Sequence, residues 1–546
     1  MATIQIRRIR WFVFLFALSA LAAHAQTYTV LDNLGVTNTD PLSPAWMGTF
    51  AQGRDGNLYS TTQAGGEFTN GHQYGTVFRL TPSGDMAVLH SFDNTNGGIP
   101  YSGLTLATDG NFYGTTTIGG AGYGTIFKIT PSGTYTVLHN FVGTTEGSNA
   151  YAPPIQGFDG NLYGTTGDGV NMFGAFYKTT PAGVVTVLYK FPSTNRYPRG
   201  LVLGTDGNFY GTTVGDSRGF GTVFKMTPKG KITILHKFTG PDGEDPIGQL
   251  IQASDGNFYG TTKVGGSGAQ GVVYKTTPAG VFTVLHNFAN NGQGMSPVAG
   301  LVQATDGNFY GMAFTNPGIG PGLIYQITST GVYTIVHEFL SKNKDGASPQ
   351  TAMIQHTGGT LFGDTYSGGT GAFCACGVLF KLDLGLGPFV TFLPPHSQGK
   401  VGKSIGLLGQ GFAGTTNVTF NGTAASFTVA SDTFLTATVP AGAGTGLIRV
   451  TSPGGTLTSN RKFLVTPQLL SFDPPSGPVG TQVTITGVSL TQTEGVGFGD
   501  RVPAQFTVNS DTQVTAIVPE GAQTGPVGVQ TKGGVAISSE TFTVTQ

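Results

Sequence analysis

Asp306-Gly307-Asn308-Phe309-Tyr310-Gly311 decides the fold, because this six-residue pattern returns along the first 380 residues of the 546-residue chain. With only Phe/Leu exchange, it begins again at Asp109, Asp159, Asp206 and Asp255. A further copy begins at Asp55, with Ser60 in place of the final Gly, and a decayed copy spans 358–363. The copies lie 47 to 54 residues apart, a period typical of propellers and solenoids.

Each period contains four strand-like segments separated by turn residues. Positions 300–304 predict strand A and 308–313 predict strand B, while 221–227 and 232–238 of an earlier period predict strands C and D. The turn from C to D carries a Pro-x-Gly signal, as in Pro228-Lys229-Gly230, because Pro presets φ and Gly accepts positive φ. Four antiparallel strands, mostly apolar on both faces, describe a blade buried between two other blades.

The two ends of the repeat region predict a closed ring. The seventh period stops after strand C at 377–382, and positions 28–34 form a strand D that no A, B or C precedes. A shared seventh blade makes a seven-bladed β-propeller closed by an N-terminal strand, and closure removes the exposed sheet edges. An open β-solenoid is the alternative arrangement.

The repeat motifs resemble a known family. Asp-Gly-Asn-Phe-Tyr-Gly-Thr-Thr, Gly-Thr-Val-Phe-Lys and Val-Leu-His-Asn-Phe are similar, over residues 28–382, to the tandem repeats of the GloVer family of exported bacterial proteins. The resemblance implies a secreted, surface-associated propeller. It implies no enzymatic activity and no ligand for individual residues.

Beyond Gly385 a second period of about 80 residues begins. The segment 472–487, with Pro474-Pro475-Ser476-Gly477 and an alternating strand after it, is similar to the opening of IPT/TIG domains, which are immunoglobulin-like sandwiches. The corresponding segment at Pro394-Pro395 is a divergent copy. We therefore expect an all-β chain: a signal peptide at 1–25, a propeller at 26–386, and two sandwiches at 387–466 and 467–546.

The N-terminal segment predicts export. Arg7, Arg8 and Arg10 precede an apolar run over 11–22, and Ala23-His24-Ala25 supplies the small residues of a cleavage site. The mature chain has 24 Lys plus Arg (27 − 3) against 28 Asp plus Glu, a net charge of −4 that does not favour nucleic acid. We expect a monomer without a membrane span, placed outside the cell, on its surface or in the periplasm.

The binding face is predicted from loop variability. The A–B and C–D turns, short and alike, share one face of the ring, whereas the B–C loops and D–A connections vary and share the other. Because function in scaffolded folds concentrates on variable loops, we expect a ligand on the second face. Aromatic residues near the start of strand A either contact that ligand or fill gaps between blades: Trp46, Tyr101, Tyr151 and Tyr197.

The channel along the ring axis offers amides instead of charges. None of the predicted A strands contains Asp, Glu, Lys or Arg, so the acid–base pair of an enzyme has no source there. The candidate channel-lining residues either bind a hydroxyl-rich ligand or pair with backbone groups: Gln52, Gln156, Gln252, Gln303, Gln355 and His356.

Other polar residues have structural interpretations beside functional ones. The repeated Asp is interpreted as a turn residue, and the His residues of strand D as packing residues. Asp242, Glu244 and Asp245 form an acidic loop that either binds calcium or is a solvated turn. Cys374 and Cys376 are either a local disulfide or two thiols.

Together these features predict a non-enzymatic binding or adhesion protein without a cofactor, whose partner is a polysaccharide or a cell-envelope protein. No residue is assigned a catalytic role. The alternatives are a secreted carbohydrate-active enzyme of propeller fold, with catalytic groups supplied by loops such as 242–245, and a purely structural component of the cell envelope.

Overall fold

The computed structural model describes residues 26–44, 48–69, 71–169, 173–215, 219–314, 321–340, 344–499 and 502–546. The predicted signal peptide and Trp46 lie outside these ranges. Within them the fold is all-β, as predicted; the one helical element is the 3-10 turn Ser193–Asn195. No helix in the described ranges is both long and apolar enough to cross a membrane.

The described part of the repeat region forms seven sheets, each built from strands A to D in order from the ring axis outward. The chain begins with strand β1 (Thr27–Asn33). Blade 1 contains β2 (Pro41–Pro44), β3 (Ala51–Gln52), β4 (Leu58–Gly65), β5 (Thr76–Leu80) and β6 (Met86–Ser91). Blade 2 contains β7 (Thr105–Leu106), β8 (Phe112–Thr115), β9 (Thr125–Ile129) and β10 (Tyr135–Asn140). Blade 3 contains β11 (Ile155–Gln156), β12 (Leu162–Thr166), β13 (Ala175–Thr179) and β14 (Val185–Lys190).

The remaining four blades repeat this order. Blade 4 contains β15 (Pro198–Leu203), β16 (Phe209–Thr213), β17 (Thr222–Met226) and β18 (Ile232–Lys237). Blade 5 contains β19 (Ile251–Gln252), β20 (Phe258–Thr262), β21 (Val272–Thr276) and β22 (Phe282–Asn287). Blade 6 contains β23 (Val302–Gln303), β24 (Phe309–Ala313), β25 (Leu323–Ile327) and β26 (Tyr333–Glu338). Blade 7 contains β27 (Ile354–Gln355), β28 (Leu361–Asp364) and β29 (Val378–Asp383), and β1 is its strand D.

The two ends of the repeat region meet in blade 7. Strand β1 runs antiparallel to β29, with Thr27 opposite Asp383 and Asn33 opposite Val378. The register shifts by one residue between Val30 and Asp32, as it does near the middle of the other C–D pairs. An N-terminal strand therefore completes the last blade, as the sequence predicts. Strand β2, which pairs with the far end of β4 in blade 1, is an addition that the repeat does not predict.

The repeated Asp is a turn residue at the A–B hairpin. The Asp306 carboxylate accepts hydrogen bonds from the Asn308 N–H at 3.0 Å, the Asn308 side chain at 2.8 Å and the Tyr310 hydroxyl at 2.8 Å. Gly307 has φ of +84°, a conformation that side chains rarely adopt. One carboxylate thus fixes the turn and the start of strand B.

The glycine after that Tyr has a packing role. A Cβ atom on Gly311 would meet the Tyr325 hydroxyl, and one on Gly260 would meet that of Tyr274. The missing side chain on strand B leaves room for a large aromatic residue of strand C, which is buried between blades. This contact explains why Tyr-Gly recurs in the repeat.

Two β-sandwiches follow the propeller. The first contains β30 (Thr391–Phe392), β31 (Gln398–Gly399), β32 (Ser404–Leu408), β33 (Asn417–Phe420), β34 (Thr423–Ala424), β35 (Phe427–Ser431), β36 (Phe434–Thr438), β37 (Ile448–Ser452), β38 (Gly455–Thr458) and β39 (Leu464–Val465). The second contains β40 (Gln468–Asp473), β41 (Ser476–Gly477), β42 (Gln482–Val488), β43 (Thr493–Phe498), β44 (Val502–Ala504), β45 (Phe506–Ser510), β46 (Gln513–Ile517), β47 (Gly525–Thr531) and β48 (Gly534–Val544).

The sandwiches share one strand order. The sheet β30-β32-β36-β35 of the first corresponds to β40-β42-β46-β45 of the second, and the parallel pair β31–β39 corresponds to β41–β48. Each has its own apolar core. The divergent first copy thus has the topology of the second, although its opening sequence differs.

The first sandwich packs against the face that carries the A–B turns. Leu393, Leu408 and Phe434 share an apolar cluster with residues of blades 1 and 2. The Thr433 hydroxyl donates to the Arg54 carbonyl at 2.6 Å, and the Arg54 guanidinium lies 4.5 Å from the centre of the Phe434 ring. One end of the ring is therefore covered by protein.

Cys374 and Cys376 form a disulfide in the B–C loop of blade 7. Of the two alternatives left open by the sequence, the structure has the disulfide. The N–H groups of Phe373 and Cys374 both donate to the Gly35 carbonyl, at 2.8 and 3.2 Å. The loop thus contacts the segment that follows β1.

Candidate functional site

The strand A segments surround a lumen along the ring axis. Two adjoining cavities of about 430 and 420 Å³ occupy it and share lining residues, among them Phe50, Val202 and Ile354. Residues of all seven blades line the second cavity, and residues of the first sandwich line one end of it, including Phe389, Phe392, Pro394, Pro395 and Leu408. The sandwich therefore forms a floor for the lumen on the side of the A–B turns.

The strand A glutamines join neighbouring blades. The Gln303 Oε1 atom accepts the Ser254 N–H of the preceding blade at 2.8 Å, and its Nε2 atom donates to the Gly307 carbonyl at 3.1 Å. Four others make the same kind of bridge, so that both ends of each carboxamide are engaged within the protein: Gln52, Gln156, Gln252 and Gln355.

His356, the other residue predicted for the channel, does not line either cavity. It follows Gln355 and is buried beneath the A–B turns, where Nε2 lies 2.9 Å from the Gly56 carbonyl and Nδ1 accepts the Gly358 N–H. Because side chains alternate along a strand, Gln355 and His356 cannot both face the lumen. Burial lowers the pKa of His356.

Among the described residues, one charged side chain lines the lumen, and it comes from the first sandwich. Arg461 lies between β38 and β39 and lines both cavities. Arg461 is exposed to solvent, although the protein atoms that surround its guanidinium lower its pKa. The repeat pattern does not predict this residue, because nothing in the local sequence shows which distant surface the sandwich contacts.

Tyr101 and Tyr151 meet on the variable-loop face. Their half-buried rings are 5.5 Å apart, edge to face, across the boundary between blades 2 and 3. The Arg199 guanidinium of blade 4 lies 4.4 Å from the centre of the Tyr151 ring. We call Tyr101, Tyr151 and Arg199 the aromatic ladder. Tyr197 lies outside it, with the Arg196 guanidinium 5.2 Å from its ring centre.

Arg199 is unusual for its position. The corresponding residues of the other blades are small, such as Ser102, Ala152 and Ala299. The Nε and Nη1 atoms of Arg199 are buried without hydrogen-bond partners, and burial lowers its pKa against the opposing effect of Tyr151 and of the Asp245 carboxylate. A cation thus lies beside the Tyr151 ring at the start of strand A.

In the acidic loop 242–245, which precedes blade 5, side chains already make contacts within the protein. The Asp242 carboxylate accepts from the Thr239 N–H at 2.7 Å and lies 2.8 Å from His236 Nε2. Desolvation, followed by the Asp245 charge, raises the pKa of Glu244. No group of three or more metal-ligating side chains comes together anywhere in the described part of the chain. The calcium site stays a prediction.

Four of the five strand D histidines stack on the strand D of the following blade, whereas His139 lies 2.8 Å from the Glu146 carboxylate. His90 on Tyr135, His236 on Phe282 and His286 on Tyr333 have ring centres 3.6 to 4.1 Å apart, with planes within 7° of parallel. His337 stacks in the same way on Tyr28 of β1, at 4.0 Å. These rings join neighbouring blades at the outer rim.

Comparison with known sequences agrees with this architecture. The sequence model of the Gloeobacter/Verrucomicrobia repeat matches residues 16–214 and 169–380, which is more than half of the chain. The chain belongs to this repeat family. A model of the IPT/TIG domain matches residues 467–545 of the same repeat protein, and both predicted resemblances are thereby confirmed. No curated protein matches the chain at a significant level.

Solved structures similar to this repeat protein differ from it widely in sequence. A surface glycan-binding protein of Prevotella bryantii is 18% identical over 27% of the chain, with a TM-score of 0.22, and the match spans 38% of its own length. A fungal alcohol oxidase of the AA5 family, in complex with copper, is 14% identical over 96% of this chain and 100% of its own, with a TM-score of 0.45.

Proposed function

We propose that this repeat protein is an exported, non-enzymatic binding protein that holds a saccharide on the aromatic ladder of its variable-loop face. The sandwiches serve as a spacer from a surface or as further contacts. The observation that carries the proposal is the pairing of Tyr101 and Tyr151, with Arg199 beside them. Partly exposed aromatic rings offer apolar faces to sugar rings, and the nearby guanidinium adds a positive charge to the surface.

The position of the ladder supports this function. It lies on three consecutive blades, so a linear chain could contact several sugar rings in turn. The first sandwich covers the opposite face, whereas the variable-loop face has no such cover among the described residues. Variable loops on a rigid scaffold are a common place for recognition.

A glycan array with the native protein and the Tyr101→Ala/Tyr151→Ala double variant tests the proposal. We expect saccharide binding by the native protein and a loss of roughly 10-fold or more in the double variant, since two aromatic contacts are removed. Tyr366→Ala is the matched control, because Tyr366 is a half-buried tyrosine in the B–C loop of blade 7.

Equal binding by the native protein and the double variant would reject the ladder as the site. Turnover of a bound saccharide by the purified protein would replace the binding proposal with the enzymatic alternative. Retention of the protein in the cytoplasm, measured by cell fractionation, would contradict the proposed export.

A further inference from the structure

We infer that the lumen is a second binding site, independent of the aromatic ladder, which takes a small organic carboxylate with an apolar body. Its anchor is Arg461, which the first sandwich places against the inner strands of the propeller. The carboxylate would pair with the guanidinium while the apolar body fills the space between the strands.

The lumen has the size and lining of a ligand site. Cavities of about 430 and 420 Å³ fall within the range of pockets that bind small molecules. Aliphatic side chains of several blades dominate the walls of the second cavity, among them Leu104, Ile155, Val202, Leu203 and Ile354. The glutamine amides at the same level are already hydrogen-bonded within the protein, so the walls favour an apolar ligand body.

Arg461 is the unmatched group of this space. No Asp or Glu is among the lining residues of either cavity. In the described part of the chain, its guanidinium makes no hydrogen bond or ion pair, and it lies 5.8 Å from the centre of the Phe392 ring. A guanidinium without a protein partner gains most from an anion that fills its hydrogen-bonding positions.

The chemistry of the site selects the ligand class. A planar carboxylate matches the guanidinium fork with two parallel hydrogen bonds. A phosphate dianion would bring a second charge, and the lining offers one cation only. A free sugar would leave hydroxyl groups without partners against the aliphatic walls of the second cavity, which is costly. A monocarboxylate with an aliphatic body satisfies both parts of the cavity.

The route into the lumen lies beside the first sandwich. Ser254, Thr305 and Gly307, at the A–B turns of blades 5 and 6, are exposed and line the same cavity as Asn460 and Arg461. A ligand that enters between these turns and the sandwich would meet the guanidinium first. The entrance therefore lies on the face of the ring that carries the A–B turns, opposite the aromatic ladder.

Isothermal titration of the full chain with octanoate tests the inference, with 1-octanol and glucuronate as comparison probes. We expect octanoate to bind more tightly than either, and Arg461→Gln to weaken it roughly 10- to 100-fold through the lost charged hydrogen bonds. Lys462→Gln is the matched control: Lys462 is the neighbouring cation, but it lines the cleft between the two sandwiches instead of the lumen.

A second variant tests the inference independently if Arg461→Gln is poorly folded. Val302→Trp fills the lumen without touching a charge and should abolish octanoate binding, because Val302 lines both cavities. Absence of octanoate binding at millimolar concentration would overturn the inference. It would also be overturned if Arg461→Gln or Val302→Trp left the affinity for octanoate unchanged, or if the native protein bound glucuronate or 1-octanol more tightly than octanoate. Saccharide binding on the ladder would be unaffected by either variant.

Discussion

Asp364 shows how one residue departs from the repeat. In five of the other six blades this strand B position is a threonine whose hydroxyl donates to a carbonyl of the next blade, as Thr165 does to Arg199 at 2.9 Å and Thr261 to Ala299 at 2.8 Å; blade 6 has Met312 there. In blade 7 the position holds a buried carboxyl group that accepts the Thr351 hydroxyl at 2.6 Å. Burial raises the pKa of Asp364 to about 7.

The stability of the native protein should therefore fall as the pH rises. The folded state binds the Asp364 proton more tightly than the unfolded state does, so its contribution is complete below pH 4 and is lost as the pH passes 7. Asp364→Asn cannot ionise, and we expect its Tm to exceed the native Tm by about 1 to 3 °C at pH 8 but not at pH 5. Calorimetry at both values checks this; an equal difference at both would contradict it.

At the scale of elements, two sets of contacts hold the blades together. Glutamines join the inner strands, and stacked rings such as His286 on Tyr333 join the outer ones. The joint between blade 7 and blade 1 is the most deeply buried of the glutamine bridges. There Gln52 accepts the Thr357 N–H at 2.9 Å and donates to its hydroxyl at 2.7 Å, and Thr357 is fully buried.

Gln52→Leu should weaken this closing joint. Leucine occupies the corresponding position in blades 2 and 4, at Leu106 and Leu203, so it fits sterically. The buried Thr357 N–H would lose its acceptor, and we expect a loss of about 1 to 3 kcal/mol in the free energy of unfolding, measured with urea.

Gln303→Leu is the control for this prediction. Its partner Ser254 is exposed, so water can replace the lost hydrogen bond, and the expected loss is below about 1 kcal/mol. Equal losses of unfolding free energy in Gln52→Leu and Gln303→Leu would show that burial of the hydrogen-bond partner does not determine the destabilisation.

At the scale of the whole molecule, the first sandwich and the propeller meet around Arg54 and His396. His396 Nδ1 accepts the Gly406 N–H at 3.1 Å. Burial, then the charges of Lys403 and Arg54, lowers the pKa of His396 to about 4. Neutral histidine thus suits this junction, and its protonation would add a third cation.

Acid should loosen this junction. The stability that neutral His396 contributes is complete above pH 6.5 and is lost as the pH falls toward 4. We expect the radius of gyration from small-angle scattering to increase between pH 7 and pH 4. His396→Asn, whose amide oxygen can still accept the Gly406 N–H, should show a smaller increase; an identical increase would assign the effect to other groups.

The sequence predicts the parts of this molecule better than their contacts. The repeat around Asp306 locates the blades, because hairpin and strand signals are local and recur. Neither the packing of Phe434 on blades 1 and 2 nor the entry of Arg461 into the lumen has such a signal. Both depend on how the short linker at 385–388 directs one domain onto another.

Strand β1 also constrains the order in which the propeller can fold. It is among the first segments to be synthesised, yet its partner β29 is the last strand of the repeat region, and Val30 pairs with Phe380 across 350 residues. A contact so distant in sequence forms slowly. Until it forms, the unpaired backbone groups of β1 can pair with an incorrect strand. The ring can close only when synthesis has passed blade 7, so any early-folding intermediate must be an arc.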